Sequence, residues 1–281
     1  GTDLEYMKLS NIFPFMKMHG LWNDFVVLDA RTFSYDINKK LIISLSDRNR
    51  GVGFDQLVVI KNDKSSDLNL TFYNADGSQI ATCGNATRCV AQYEMRRVGK
   101  KSLKIKTTRG TLEAIAVDSV RTRVNMGHPF INWAEIPIAK DIDTLKLPID
   151  GSPTATGMGN PHCTFFVDDA DSIDLKAFGN RFDNHSLFPN GTNVQVVSFL
   201  EKNHLRMRVW ERGVGHTLAS GSSACASAVA ASRLGLSEKA VKIDLDGGQL
   251  DIEWLESGVW MTGESVHVFS GNLTQEFLES I

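Results

Sequence analysis

The sequence predicts an α+β protein in which strand outweighs helix, laid out as two similar halves, and three observations carry that reading. Short runs of β-branched, aromatic and aliphatic residues recur at Phe25 to Leu28, Leu57 to Ile60, Leu68 to Tyr73, Leu103 to Thr107, Leu112 to Val117, Thr164 to Val167, Val194 to Phe199 and Leu205 to Trp210. Turn residues separate them, as the strands of a sheet require. Helical patterning is confined to Asn38 to Ser46, Asn85 to Arg97, Ser223 to Arg233 and a shorter stretch at Ala170 to Phe178. The third observation is internal: Cys83-Gly84-Asn85-Ala86-Thr87-Arg88-Cys89-Val90-Ala91 resembles Ser220-Gly221-Ser222-Ser223-Ala224-Cys225-Ala226-Ser227-Ala228. Each segment sets a small nucleophilic side chain before glycine and then opens into a small-residue helix. One begins at 83 and the other at 220, about half the chain apart, as a duplicated unit would place them.

Between the halves, His128 to Pro153 shows little periodicity and holds Pro129, Pro137, Pro148 and Pro153 of the seven prolines, so a boundary is expected near residue 128. At 281 residues, two halves are each long enough to bury a core. Lys+Arg 30 against Asp+Glu 33 gives a net charge of −3, which excludes a polybasic nucleic-acid binder and an acidic disordered tail. Four cysteines, none in Cys-x-x-Cys spacing, exclude a disulfide scaffold and leave no metal site to expect. No apolar run approaches the ~20 residues that span a bilayer. The opening residues lack a basic segment leading into an apolar one, so the expectation is a soluble protein of the reducing cytoplasm with no nucleic-acid or membrane partner. Gly1 to Met7 shows no periodic pattern and carries no functional weight.

The chemistry is expected at the two turns. A helix N-terminus presents unpaired N–H groups and the positive end of the macrodipole, so it holds a carboxylate and favours a thiolate. A cysteine thiol titrates near ~8.5 and is lowered in such a place, which makes Cys83 a candidate base at neutral pH. Gly84 and Asn85 supply the turn and the donors that an anion site needs. Cys89, Cys163 and Cys225 follow or lie within apolar stretches and read as buried, inert thiols. Glycine-rich turns also cradle phosphate, but neither G-x-G-x-x-G nor G-x-x-x-x-G-K-[ST] occurs. Ala219-Ser220-Gly221 is not the G-x-S-x-G elbow of serine hydrolases. Amides cluster near the other short motifs, at Asn23, Gln56, Asn74, Asn160 and Asn193, with Glu211 and Arg212 ahead of the second turn. Amides satisfy either end of a zwitterion and arginine clamps a carboxylate with two parallel bonds, so this set suits a small amino acid if the fold gathers it.

Taken together, the motifs resemble the diaminopimelate epimerases, a family of cofactor-independent amino-acid racemases. The resemblance runs through Met18-His19-Gly20-Leu21-Trp22-Asn23-Asp24-Phe25, Arg50-Gly51-Val52-Gly53-Phe54-Asp55-Gln56, Asn74-Ala75-Asp76-Gly77-Ser78 and the Cys83 segment. It continues through Gly159-Asn160-Pro161-His162-Cys163, Gly191-Thr192-Asn193-Val194, Glu211-Arg212-Gly213-Val214-Gly215 and Met261-Thr262-Gly263. It implies two pseudo-symmetric lobes, each a mixed or antiparallel sheet or barrel around a central helix, with the active site in the cleft. The lobes would comprise residues 1–127 with 269–281, carrying Cys83, and residues 128–268, carrying Ser220. The implied reaction inverts one α-carbon of L,L-diaminopimelate to the meso form, in lysine and peptidoglycan precursor biosynthesis, with no cofactor. Carried over by motif, Cys83 is one catalytic group, paired with His162, and position 220 is the other, paired with Glu211. Gly84, Asn85, Gly221 and Ser222 would hold the reacting carboxylate, and Asn23, Gln56, Asn74, Asn160, Asn193, Glu211 and Arg212 would bind the rest of the amino-acid substrate. A homodimer is also implied, through the Val266 to Phe269 strand, where Phe269 stands in place of a tyrosine.

Inverting a stereocentre requires a base on one face and an acid on the other, and a duplicated turn supplies both. The chain departs from the family pattern at that chemistry: Ser220 replaces a cysteine, and a hydroxyl is a far weaker acid than a thiol. His216 and Ser223 depart nearby, and Trp22 stands where a small residue is usual, a ring expected to pack within its lobe, the alternative being that it crowds the entrance. Ser220 fits an engineered replacement, a natural variant in which Glu211 and Ser220 act together, or a changed reaction. The changed reaction would be racemisation of another amino acid or β-elimination; a binding-only homologue is the non-enzymatic alternative.

Overall fold

The computed structural model describes residues 12–281, so Gly1 to Met7 lies outside the described residues. The chain separates into two compact units, one formed by residues up to Thr122 together with Glu264–Ile281, the other by Arg123–Gly263. These divisions fall earlier than the 127/128 and 268/269 positions expected from sequence. Backbone pairing explains the shift: Met126 N donates to Val259 O at 2.8 Å and Val259 N to Gly127 O at 2.9 Å, tying the residues after 122 into the second unit.

In the first unit, β1 (Phe13–Gly20) and β2 (Asn23–Asp29) form an antiparallel hairpin closed by Leu21 and Trp22, both at positive φ (56° and 67°). Such a two-residue turn matches the strands' twist. The chain then leaves the sheet through α1 (Lys39–Ser46), whose N-cap Asn38 accepts from Leu41 N at 3.0 Å. Leu41, Ile42 and Leu45 of α1 are buried in one cluster with Phe54, Leu57 and Val59. β3 (Gln56–Lys61) returns parallel to β2, β4 (Leu68–Asn74) runs antiparallel to β3, and β5 (Gln79–Ile80) antiparallel to β4. Next come α2 (Gly84–Val98), then β6 (Ser102–Thr107), parallel to β4 and antiparallel to β7 (Gly110–Ala116). β8 (Arg121–Asn125) contains the division between units. The closing strand Val266–Leu273 pairs antiparallel with β1, Phe13 opposite Leu273.

α2 is enclosed along most of its length, with Gly84 to Gln92 all buried. Its two buried charges are bonded rather than orphaned: Arg31 reaches both Glu94 oxygens at 2.9 Å, and Arg97 adds a 2.7 Å contact. Arg88 bonds to Asn85 and to the Glu264 carbonyl. The helix stops at Gly99, whose φ of 71° is the left-handed cap that glycine adopts without a Cβ penalty.

The second unit repeats this order of pairings. β9 (Thr154–Gly157) and β10 (Pro161–Phe166) are antiparallel; an excursion through α3 (Leu175–Phe182) leads to β11 (Asn193–Glu201), parallel to β10. β12 (His204–Glu211) and β13 (Gly215–Thr217) follow antiparallel, then α4 (Gly221–Arg233). β14 (Ala240–Leu245) is parallel to β12, β15 (Gly248–Leu255) antiparallel to β14, and β16 (Gly258–Glu264) antiparallel to β15. The likeness of the two short segments thus extends to the connectivity of both units, and the α+β class stands.

Sequence patterning misses β1, β5, β8, β9, β13 and the whole run from β14 to β16. β14 and β15 alternate buried aliphatics with charged residues, the exposed Lys242 and the half-buried Asp251 among them, so they present no apolar run. The helix expected at Ala170 to Phe178 is split instead. Asp169 caps a 3₁₀ turn at Ala170–Ser172, and Asp174 accepts from Ala177 N at 3.2 Å to start α3 afresh. Two competing capping carboxylates, Asp169 and Asp174, break one helix into two.

Candidate active site

Each unit gathers its candidate residues in the same way: at the ends of three neighbouring strands and at the N-terminus of the enclosed helix. In the first unit, Asn23 opens β2, Gln56 opens β3 and Asn74 closes β4, with Gln56 opposite Asn74 in register. Cys83 is the N-cap of α2, extended at φ −150°, ψ 102°, and its side chain makes no capping hydrogen bond. Its sulfur lies 3.9 Å from both Asn23 Oδ1 and Gln56 Oε1, so the thiol faces two amide oxygens.

Those amides are oriented by a directional chain. Arg88 Nη1 donates to Asn85 Oδ1 (3.0 Å), Asn85 Nδ2 to Asn23 Oδ1 (3.2 Å), Asn23 Nδ2 to Gln56 Oε1 (2.9 Å), and Gln56 Nε2 to Asn74 Oδ1 (3.4 Å). A guanidinium has donors only, so the fully buried Arg88 fixes which way every amide in the chain points. Gly20 makes room for it: a Cβ there would lie 2.7 Å from Arg88 Nη2. Asn23 is also held from behind, its Nδ2 donating to Asp55 Oδ2 at 2.9 Å. Burial pushes the Asp55 carboxyl up. Burial acts the same way on Asp24, but Arg48 at 2.8 Å and Lys17 at 2.7 Å prevail and hold that carboxyl far below its usual range.

In the second unit, Ser220 is the N-cap of α4 at φ −145°, ψ 112°, nearly the same backbone as Cys83. Here the side chain does cap: Oγ accepts from Ser223 N at 3.3 Å and donates to Ser223 Oγ at 2.9 Å. Ser223 Oγ lies 3.5 Å from His162 Nδ1, and Gln195 Nε2 lies 3.0 Å from the same nitrogen. His162 Nε2 lies 2.7 Å from Asn160 Oδ1, while Asn160 Nδ2 donates to Ser222 Oγ at 3.3 Å. His162 and Asn193 are partners across the parallel β10–β11 pair. Asn193 Oδ1 accepts from Arg212 N at 2.7 Å, so Asn193 sets the backbone where Glu211 ends β12. Arg212 Nη1 donates to Asn190 O at 3.0 Å.

The sequence-derived residues therefore fall into two sets. Asn23, Gln56, Asn74, Cys83, Gly84 and Asn85 lie in the first unit, and Asn160, His162, Asn193, Glu211, Arg212, Ser220, Gly221 and Ser222 in the second. His162, assigned to Cys83 by the resemblance, lies in the unit of Ser220 and reaches it through Ser223. Sequence reading missed Arg88, Asp55 and Gln195, and gave Ser223 no role. Arg88 stands in the quoted motif at three residues past Asn85, the spacing that puts two side chains on one helix face, and that signal was available. Gln195 carried none, since it sits inside an apolar strand. Cys89, Cys163 and Cys225 are buried thiols, and burial pushes the first two up.

Over residues 15–131 and 154–268 the chain matches the family model described as "Diaminopimelate epimerase". The chain belongs to the diaminopimelate epimerase family. A diaminopimelate epimerase of Rhodospirillum centenum is 44% identical over 271 residues, covering 94% of this chain and 93% of the relative. One of Zymomonas mobilis is 44% identical over 265 residues, covering 92% and 96%. Solved structures share the fold at low identity. A hydroxyproline epimerase from Agrobacterium vitis, with bound trans-4-hydroxy-L-proline, has a TM-score of 0.68 at 11% identity, covering 94% of this chain and 91% of that one. A Bacillus anthracis phenazine biosynthesis protein of the PhzF family has a TM-score of 0.66 at 13% identity, covering 93% and 99%.

Against the diaminopimelate epimerase pattern, the departures at Trp22, His216, Ser220 and Ser223 take on structural meaning. Trp22, expected to pack within its lobe, is 74% exposed, because it occupies a hairpin tip at positive φ and points away from its own core. His216 lies at the surface with Nε2 2.6 Å from Asp246 Oδ2, in a charge cluster with Arg206. Ser220 and Ser223 are bonded to one another.

Proposed function

We propose that the protein inverts one α-carbon of L,L-diaminopimelate to give the meso isomer by two-base proton transfer, using no pyridoxal cofactor. The observation that supports this reading above others is the pair of nucleophiles, Cys83 and Ser220, presented at near-identical backbone angles as N-caps of duplicated helices in a member of this family. The reaction needs one group for each face of the α-carbon, and the duplicated units each supply one. Gly84, Asn85, Gly221 and Ser222 form the first turns whose N–H groups hold the reacting carboxylate, where helix dipoles oppose the charge that develops on the carbanion. Asn23, Gln56, Asn74, Asn160, Asn193 and Arg212 recognise the remainder of the amino acid, and His162 and Glu211 are the auxiliary acid–base groups. None of these side chains is an amine able to form the Schiff base of pyridoxal chemistry, which favours the cofactor-independent route.

The same proposal includes a homodimer, supported by exposed Val266, Val268 and Phe269 on the closing strand, and a reducing cytoplasmic setting, in which a catalytic thiol persists. The product would serve lysine and peptidoglycan precursor synthesis. Among the described residues no helix is long and apolar enough to cross a membrane. Incubation with L,L- and meso-diaminopimelate, with isomers separated chirally, tests the assignment. Interconversion in both directions is expected. Binding without interconversion or α-proton exchange contradicts it in favour of a binding-only homologue, and turnover of a different amino acid alone contradicts it in favour of another racemase.

A further inference from the structure

Ser223 is fully buried in the first turn of a helix whose other buried residues are alanines together with Gly221, Cys225, Ser227 and Val229, a place where alanine would fit and a hydroxyl must find partners to offset its desolvation. Gln195 Nε2 donates to its Oγ at 3.4 Å, and two further partners form a line. Ser220 Oγ donates to Ser223 Oγ at 2.9 Å, and Ser223 Oγ lies 3.5 Å from His162 Nδ1. The two departures that the sequence shows in this turn are thus consecutive links between the helix cap and a buried imidazole.

The imidazole is oriented for a relay. Asn160 Oδ1 at 2.7 Å has only lone pairs to offer, so His162 Nε2 is assigned the ring hydrogen and Nδ1 presents its lone pair. Gln195 Nε2, 3.0 Å away, donates to that lone pair, and Thr164 Oγ1, donating to Gln195 Oε1 at 3.3 Å, sets the amide's direction. When Nδ1 gains a proton, the Gln195 amino group cannot accept it. Of these two neighbours only Ser223 Oγ can, so a proton at Nδ1 turns Ser223 from donor to acceptor.

We propose that Ser223 is a positioning residue that relays a proton between Ser220 and His162, letting a serine do at this turn what a thiolate does at the other. The inference rests on the epimerase reading. With the substrate α-carbon at Ser220 Oγ, the Cα–H bond breaks and its proton forms a new O–H bond at Ser220. The original Ser220 proton passes to Ser223 Oγ, and the original Ser223 proton passes to His162 Nδ1, giving an imidazolium. The C–H electron pair remains on the α-carbon. In the opposite direction the imidazolium proton returns along the two hydroxyls to the carbanion. No free alkoxide forms at any stage, which removes the main objection to serine as the base.

The test compares the full-length protein with Ser223→Ala and Ser223→Thr. In unliganded protein carrying ¹⁵N-histidine, the Nδ1 resonance of His162 moves in Ser223→Ala and returns toward its original position in Ser223→Thr. With L,L-diaminopimelate, kcat falls roughly tenfold or more in Ser223→Ala, KM changes less than about twofold, and Ser223→Thr restores most of kcat, a split that goes with lost proton transfer rather than lost binding. In a Ser220→Cys background, Ser223→Ala costs less than about threefold, because a thiol needs no relay. An unmoved Nδ1 resonance, a kcat retained within about twofold, or equal losses in both backgrounds overturns the relay. Absence of any turnover by the unmodified protein counts against the epimerase reading instead, and the ¹⁵N comparison then decides the relay on its own.

Discussion

The two helix-opening turns share a backbone and differ in what their side chains are committed to. Cys83 and Ser220 sit within 5° of each other in φ and 10° in ψ, each before a glycine and each at the start of an enclosed helix. Cys83 leaves the capping role unfilled and turns its sulfur toward two amide oxygens held in place by Arg88 through Asn85 and Asn23. Ser220 spends one lone pair on Ser223 N and its hydrogen on Ser223 Oγ. One turn therefore keeps its thiol out of the cap, while the other ties its hydroxyl into the helix and points its hydrogen inward. Duplication fixes where a functional atom is placed, and the residue in that place decides between capping and chemistry.

Exchanging the two residues breaks the comparison most sharply. Cys83→Ser is expected to lower kcat by about 10³ or more, since a hydroxyl is a far weaker acid than the thiol it replaces. The reciprocal Ser220→Cys is expected to raise the epimerisation rate by about 10² or more, while loss of the cap costs about 1 kcal/mol, a drop in Tm of roughly 2–4 °C. Steady-state kinetics and thermal melts on both variants check this, and an unchanged rate in Ser220→Cys contradicts a handicapped second turn.

A smaller effect sharpens the contrast in how the helices are anchored. Burial opposes ionisation of Glu94 on α2, but its bonds to Arg31 and Arg97 win and bring its carboxyl from 4.5 down to about 2. A depressed carboxyl stabilises the fold fully above the unfolded value and loses that contribution as pH falls from about 4.5 toward 2. Glu94→Gln should therefore cost on the order of 2–3 kcal/mol at pH 7, and the gap to the unmodified protein should close near pH 2. Urea midpoints measured across that range test the sign; a gap that stays constant contradicts it. α4 has no such buried ion pair within it, so the acid sensitivity should belong to the Cys83 side.

The smallest expected effect is at Trp22, held at φ 67° where glycine is at ease. Trp22→Gly should stabilise the protein by up to about 1 kcal/mol in urea unfolding, and a loss of stability contradicts a strained hairpin tip.

Much of this contrast was legible in the sequence because the turn chemistry is local. A nucleophile, a glycine and a small-residue helix are contiguous, so both caps and their repetition could be read directly, as could the amides at strand ends. The relation between Ser220, Ser223 and His162 was not, because His162 arrives on β10, a separate strand, and only the fold brings it to within reach of residue 223. Arg88 was overlooked for a related reason: an arginine four residues inside a helix reads as a solvated face, and its complete burial follows from tertiary enclosure. β14 and β15 escaped because charged residues alternate with their buried aliphatics.

The central claim is that each turn handles one face of the same α-carbon, and the fate of the α-hydrogen in heavy water tests it most directly. When L,L-diaminopimelate is converted in D₂O and sampled at low turnover, the account predicts that the meso product carries solvent deuterium at the inverted centre while the remaining L,L substrate stays unlabelled. Product that instead keeps the original hydrogen would show a single group working both faces and would contradict the two-turn account.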